Sequence, residues 1–201
     1  MPPAPPELSS SVKRIFVHHT AVFPRYAAEE SASLVARICR QHMEERGFSD
    51  IAYNFLIDRY GVIFQGRAGG ILRPVVGAHA VGFNQESAGI ALIGDFENDE
   101  VPTATAEALV RLTAWLCLWY DIDPLGRSSQ RSTGGATTRY AARREVELPT
   151  IVGHRETGDG TPCPGRHMFA EIGSGRLASA VAAAAGRAGA SAPRRGPAPP
   201  G

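Results

Sequence analysis

The run Ala88-Gly89-Ile90-Ala91-Leu92-Ile93-Gly94 carries no polar side chain. A near-continuous apolar stretch of this length marks a central strand covered on both faces, because a strand with one wet face alternates apolar and polar residues instead. A fold built on such a strand has to place other elements above and below its sheet. With 201 residues, 43% hydrophobic and 20% charged, the chain can do so within one domain.

The remaining elements follow from local pattern. Arg14-Ile15-Phe16-Val17-His18 is short and rich in β-formers, which suits a buried strand ending on His18 and His19. From Glu29 to Arg46, Leu34, Val35, Ile38, Cys39, His42 and Met43 recur at helical spacing, and Gly47 ends this amphipathic helix. Residues 51–58 and 62–66, joined by a turn at Arg59-Tyr60-Gly61, read as a β-hairpin whose first strand opens with Tyr53 and Asn54. A second helix follows Pro102-Thr103 to about Tyr120, with Thr103 as its N-cap and Leu109, Leu112, Leu116 and Tyr120 on one stripe. Thr150 to His154 is another strand, and Gly173-Ser174-Gly175 splits two short helical pieces, His167 to Ile172 and Arg176 to Ala185.

The predicted class is α/β, a single-domain mixed central β-sheet with amphipathic helices packed on it. Its predicted core is Ile15, Val17, Leu34, Ile38, Phe55, Ile57, Ile90, Leu92, Leu112, Leu116 and Ile151. The domain is expected over 14-185, with a loop-rich insert at 121-148 that reads as loop or weak hairpin. A flexible arm over 1-13 precedes it, and a disordered Ala/Pro/Arg/Gly tail over 186-201 follows.

Charge and targeting signals narrow the partners. Lys and Arg total 21 against 20 Asp and Glu, which gives no electrostatic reason to expect nucleic acid or an anionic membrane. No run reaches transmembrane length, and the opening Met1-Pro2-Pro3-Ala4-Pro5-Pro6 lacks the basic and apolar regions of a secretory signal. The chain as written is therefore expected to carry no export signal. Cys39, Cys117 and Cys163 are too few for a disulfide-dense scaffold, and the odd count leaves one over for a metal or a free thiol. Cys39 and Cys117, each on a helix, suit packing, with a mutual disulfide left open.

The chemistry concentrates near Cys163. It stands between Pro162 and Pro164, one loop after the strand-ending His154, so a thiolate and an imidazole come within reach of one ion. The His18-His19 strand end offers a further donor, and successive strand residues point to opposite faces, so at most one of the two faces a given site. Counting strand-end and loop residues gives His18, His154 and Cys163, with no equally placed fourth. Hydrolytic zinc keeps three protein ligands and one open position, whereas structural zinc closes its shell with four, so the count favours catalysis.

Several segments carry a family resemblance: Val17-His18-His19-Thr20-Ala21, Asp50 through Asp58 with its Tyr53-Asn54-Phe55, Gly77-Ala78-His79-Ala80, Gly82-Phe83-Asn84, Ser87-Ala88-Gly89-Ile90 and Gly153-His154-Arg155-Glu156 with Cys163-Pro164-Gly165. In order from about Arg14 to Leu177, they resemble the peptidoglycan recognition protein family, specifically its zinc N-acetylmuramoyl-L-alanine amidase branch, with an actinobacterial flavour.

The resemblance implies hydrolysis of the amide between N-acetylmuramic acid and L-alanine in peptidoglycan, by one Zn2+ held by His18, His154 and Cys163. It makes His18 the ligand of the His-His pair and Tyr53 and Thr161 the groups that assist at the reacting oxygen. It places His79, Asn84 and Arg67 along a muramyl-peptide groove and leaves His19 near the substrate. The implied partner is peptidoglycan or its muropeptides, met by a monomer in an extracytoplasmic compartment. A non-catalytic muropeptide-binding module and a zinc amidase for a different small amide are the alternatives. Three departures stand out: Gln65 where many members have Glu, Ala88 where Ile is common, and a loop from His154 to Cys163 one residue longer than usual. The last makes the position of Cys163 the sharpest test of the ligand set.

Overall fold

A computed structural model describes residues 5–191. Its strands are β1 (Arg14–His19), β2 (Phe55–Ile57), β3 (Ile63–Gln65), β4 (Ser87–Leu92), β5 (Arg127–Arg131), β6 (Glu145–Pro149) and β7 (Ile151–Gly153), and its helices α1 (Ser31–Glu44), α2 (Thr103–Tyr120), α3 (Arg166–Gly173) and α4 (Arg176–Ser191). Five strands form one mixed sheet in the order β3-β2-β4-β1-β7, in which only β3 runs antiparallel to its neighbour. The apolar run is β4, paired on both edges and buried at every residue, as the absence of polar side chains requires.

Strand periodicity sorts the two faces. Ile15 and Val17 of β1 join Phe55, Ile57, Ile90 and Leu92 against α2 and α4, whose Leu109, Leu112, Leu116 and Val181 close that core. Leu56, Ala91 and Ile93 pack on the other face against Leu34 and Ile38 of α1. Phe16 and Val152 occupy that second face further along, under Val146 and Leu148 of β6. All eleven predicted core residues are buried.

The differences from expectation have local causes. The hairpin strands are shorter than predicted, and Tyr53 and Asn54 precede β2 because Asn54 turns its side chain onto the backbone, accepting from Gly89 N–H at 2.8 Å and donating to Val75 O at 2.7 Å. Thr103 is the first residue of α2 rather than its cap; Pro102 holds the N-cap position, and the Thr103 side chain makes no capping bond. The weak hairpin in the insert is a formed two-stranded sheet, β5 with β6.

Within the expected arm, residues 7–13 lie against the domain. Ser9 N–H donates to Pro74 O, Glu7 O accepts from Val76 N–H, Leu8 bridges Val75, and Val12 is buried. Helix α4 continues through Ser191, so the expected tail begins as helix; residues 1–4 and 192–201 lie outside the described residues. Among the described residues no helix is long and apolar enough to cross a membrane.

One tie between layers is polar. Arg14 is fully buried, and its guanidinium donates to Pro149 O at 3.3 Å, Gln130 Oε1 at 3.0 Å, Ser128 Oγ at 3.0 Å and Ser128 O. Every one of these acceptors is neutral and lies on the β5–β6 hairpin. Burial, and then Arg127, lower the Arg14 pKa to about 10, which still leaves it charged at neutral pH. The outer edge of the hairpin is held more loosely by exposed ion pairs, Arg127 with Glu147 and Arg131 with Glu145.

Candidate metal centre

β1 and β7 are parallel neighbours in register, Val17 opposite Gly153, so the residues that follow, His18 and His154, leave the sheet side by side. Their rings lie 4.7 Å apart between centroids. The loop after His154 returns Cys163 to the same point, with its Sγ 3.6 Å from His18 Nδ1. Donor atoms of His18, His154 and Cys163 all fall within 4.8 Å of one another. The extra residue in the loop does not swing the thiol away.

The loop keeps this path because the insert braces it. Thr138 bridges Gly158, Asp159 N–H donates to Thr137 O, Arg139 N–H donates to Thr157 O, and the Arg139 guanidinium donates to Gly158 O at 2.9 Å. On its far side Arg155 N–H donates to Cys163 O at 2.8 Å, while the Arg155 side chain lies over the Phe169 ring. Gly158 is needed here. A Cβ on it would meet Thr161 Cγ2 at 2.6 Å and His154 Nε2 at 3.1 Å, forcing the loop off the donor set.

Electrostatics make the cluster short of positive charge. Burial first, then His154, His79 and His19, drive the His18 pKa well below its ordinary 6.5, and burial with His19 takes His154 to about 4. Both imidazoles are neutral at pH 7 and offer lone pairs. Burial pushes the Cys163 thiol up to about 12, against the opposing effects of its contact with the His19 backbone and the field of Arg155. A buried thiol beside two neutral imidazoles is a set that a divalent cation would complete, since the ion supplies the charge that deprotonates the sulfur. Two imidazoles and one thiolate match a zinc ion by ligand type.

The same burial predicts acid sensitivity in the metal-free protein. His42, His79 and His154 are lowered to about 4, 3 and 4, chiefly by burial, whereas unfolded imidazoles titrate near 6.5. Between pH 6.5 and about 4 the unfolded chain binds protons that the native state refuses, so stability rises with pH in that window and falls on acidification. The expected result is a melting temperature that drops steadily from pH 7 to pH 4. A flat profile would mean these rings are not held neutral.

The other predicted site residues divide. Tyr53 sits beside the donors, its ring 5.2 Å from His18 between centroids, and burial raises its pKa so that it remains a phenol at neutral pH. Thr161 Oγ1 accepts from Cys163 N–H at 3.2 Å. Arg67 donates to Val76 O and to Ser49 Oγ, on the surface beside Asp50.

Three expected groove residues are placed otherwise. His19 points to the opposite sheet face, as strand alternation requires, and its Nδ1 accepts from Phe96 N–H at 3.1 Å. Asn84 Oδ1 is taken up by His79 N–H and Ala80 N–H, which makes it a turn cap. His79 is buried, with its Nδ1 3.1 Å from His18 Nε2. All three cysteines are free, so Cys39 and Cys117 are unpaired thiols.

A mixed sheet that delivers two strand-end imidazoles and a loop thiol to one point is the frame of a metal-dependent hydrolase domain. The family profile described as N-acetylmuramoyl-L-alanine amidase matches residues 8–166. A short peptidoglycan-recognition protein of Drosophila simulans is 31% identical over 172 residues, covering 85% of this chain and 78% of the relative.

Two solved structures share the fold. A point mutant of Drosophila PGRP-LB in complex with tracheal cytotoxin aligns at TM-score 0.65 and 28% identity, over 86% of this chain and 89% of that one. N-acetylmuramoyl-L-alanine amidase LysC from Clostridium intestinale aligns at TM-score 0.60 and 25% identity, over 86% and 89%. The chain belongs to the peptidoglycan recognition protein family and has its amidase-type fold.

Proposed function

We propose that this protein is a zinc-dependent N-acetylmuramoyl-L-alanine amidase that hydrolyses the amide joining the lactyl group of N-acetylmuramic acid to L-alanine in peptidoglycan. The observation that carries the reading is the convergence of His18, His154 and Cys163 within 4.8 Å, in a family that contains both binders and amidases. Zinc held by these three residues supplies Lewis acidity toward the carbonyl and a nucleophile formed from water at neutral pH. The muropeptide partner is supported by the tracheal cytotoxin bound to the related PGRP-LB mutant.

The chain's own groups supply orientation and hydrogen bonds. The Tyr53 phenol, kept protonated by burial, is a donor poised beside His18 for the oxygen that gains negative charge. Thr161 fixes the backbone of Cys163 through its Oγ1 and keeps its own O–H free to donate to the same oxygen. Arg67 presents a cation at the surface for an acidic part of the stem peptide.

Tyr53→Phe removes the donor and little else. It is expected to lower kcat by about 10²- to 10³-fold while zinc content stays at one per chain. Unchanged kcat with zinc bound would remove Tyr53 from the mechanism. Comparing turnover on intact sacculi with turnover on small soluble amides separates the wall substrate from a different amide.

A further inference from the structure

His18 uses only one of its two ring nitrogens toward the other donors. Its Nδ1 faces Cys163 Sγ, while its Nε2 meets His79 Nδ1 at 3.1 Å. We propose that His79 is a positioning residue for the metal centre: its Nδ1 accepts the Nε2–H of His18, which leaves His18 Nδ1 bare and aimed at the shared ligand position. The proposal rests on the metal-site reading above.

The chemistry of a neutral imidazole fixes the direction of this hydrogen bond. Such a ring has one donor and one acceptor nitrogen, so a ring that ligates through Nδ1 carries its proton on Nε2. That proton needs an acceptor, because both rings are buried, His18 at 1% exposure and His79 at 5%. His79 Nδ1 serves only if its own proton lies on Nε2. That nitrogen has no hydrogen-bond partner among the described residues, so no donor there forces the proton back to Nδ1.

The backbone around His79 is cut to the ring. A Cβ on Gly77 would meet His79 Cδ2 at 2.4 Å, and a Cβ on Gly89 would meet His79 Cδ2 and Cγ at 2.4 Å. Glycine inside a central strand such as β4 weakens it and signals a close approach. Here the approaching group is the imidazole. Asn54 holds the Gly89 side of the niche through Gly89 N–H, and Asn84 holds the His79 side through His79 N–H, each at 2.8 Å. Two glycines and two asparagines therefore place one ring behind a metal ligand. Partners of this kind typically alter metal affinity by about 10- to 100-fold when removed.

The test compares zinc affinity, by competition with a chromogenic chelator, for wild type, His79→Asn and His79→Leu. Asparagine returns an acceptor near the position of Nδ1, whereas leucine fills the niche without one. The expected result is affinity about 10- to 100-fold weaker in His79→Leu and within about threefold of wild type in His79→Asn. Wild-type affinity in His79→Leu overturns the proposal, and so does equal weakening in both variants when their metal-free forms melt like wild type.

Long-range nitrogen–proton NMR on the metal-free wild type decides the matter even if the leucine variant does not fold. His18 is expected as the Nε2–H tautomer, and an Nδ1–H tautomer contradicts the proposal. Failure of the wild type to take up zinc would sink the amidase reading instead, while the tautomer measurement would still judge the role of His79.

Discussion

Replacing Cys163 by alanine is expected to abolish tight zinc binding and to lower amidase turnover on the order of 10³-fold or more. The thiol is the only sulfur donor in the cluster, 3.6 Å from His18 Nδ1, and without it two neutral imidazoles remain to hold a divalent ion. Lewis-acid stabilisation is worth several kcal/mol in the transition state, and each 1.36 kcal/mol is about tenfold in rate. The backbone contacts of residue 163, to Thr161 Oγ1 and Arg155 N–H, survive the substitution, so the loop should keep its path. Metal analysis and initial rates on the same preparation check both parts. Retained zinc would show that Cys163 is not a ligand. Retained turnover without zinc would remove the metal from the mechanism.

The largest effect on stability is expected from Arg14→Leu. The guanidinium donates to Pro149 O, Gln130 Oε1, Ser128 Oγ and Ser128 O, and leucine leaves these acceptors facing an apolar group under the hairpin. Hydrogen bonds to a charged donor are worth about 1.5–3 kcal/mol, and each stranded buried acceptor costs about 1–3 kcal/mol, so a loss of about 3 kcal/mol or more follows. For a chain of this size that lowers the melting temperature by roughly 6–12 °C. Amide exchange should rise first in β5 and β6, because Arg14 is their polar anchor to β1. Zinc affinity should weaken as well, since residues 137–139, between β5 and β6, brace the loop that carries Cys163. A melting temperature within about 2 °C of wild type would contradict this role for Arg14.

Elements whose formation depends on apolar pattern were legible from the chain alone. The runs that became β1 and β4, the 3.6-residue stripes of α1 and α2, and the split between α3 and α4 all announce themselves in residue order. The three donors were legible for a related reason. His18 and His154 end strands that pair in register, and Cys163 closes a short loop between prolines.

What pattern did not disclose is held by polar contacts between distant segments. The Arg-Ser-Ser-Gln-Arg strand β5 shows no apolar alternation, because its one buried position, Gln130, is satisfied by Arg14, Phe83 O and Gln85 O. The first residues of the chain look like a tether, yet Glu7 and Ser9 find backbone partners at residues 74–76. His79 sits in a Gly-rich segment that suggests a groove wall, whereas Gly77 and Gly89 instead admit its ring to the interior behind His18. In each case the decisive partner lies tens of residues away and carries no periodic signature.

The central claim is hydrolysis of a particular amide by a protein whose relatives include binders that do not cut. The direct measurement incubates the zinc-loaded protein with purified peptidoglycan and counts new L-alanine amino termini against new reducing sugar ends. A steady rise in L-alanine amino termini, with no rise in reducing ends and none of either from Cys163→Ala, is the predicted result. Binding of peptidoglycan by the zinc-loaded protein with no new L-alanine termini would contradict the amidase reading.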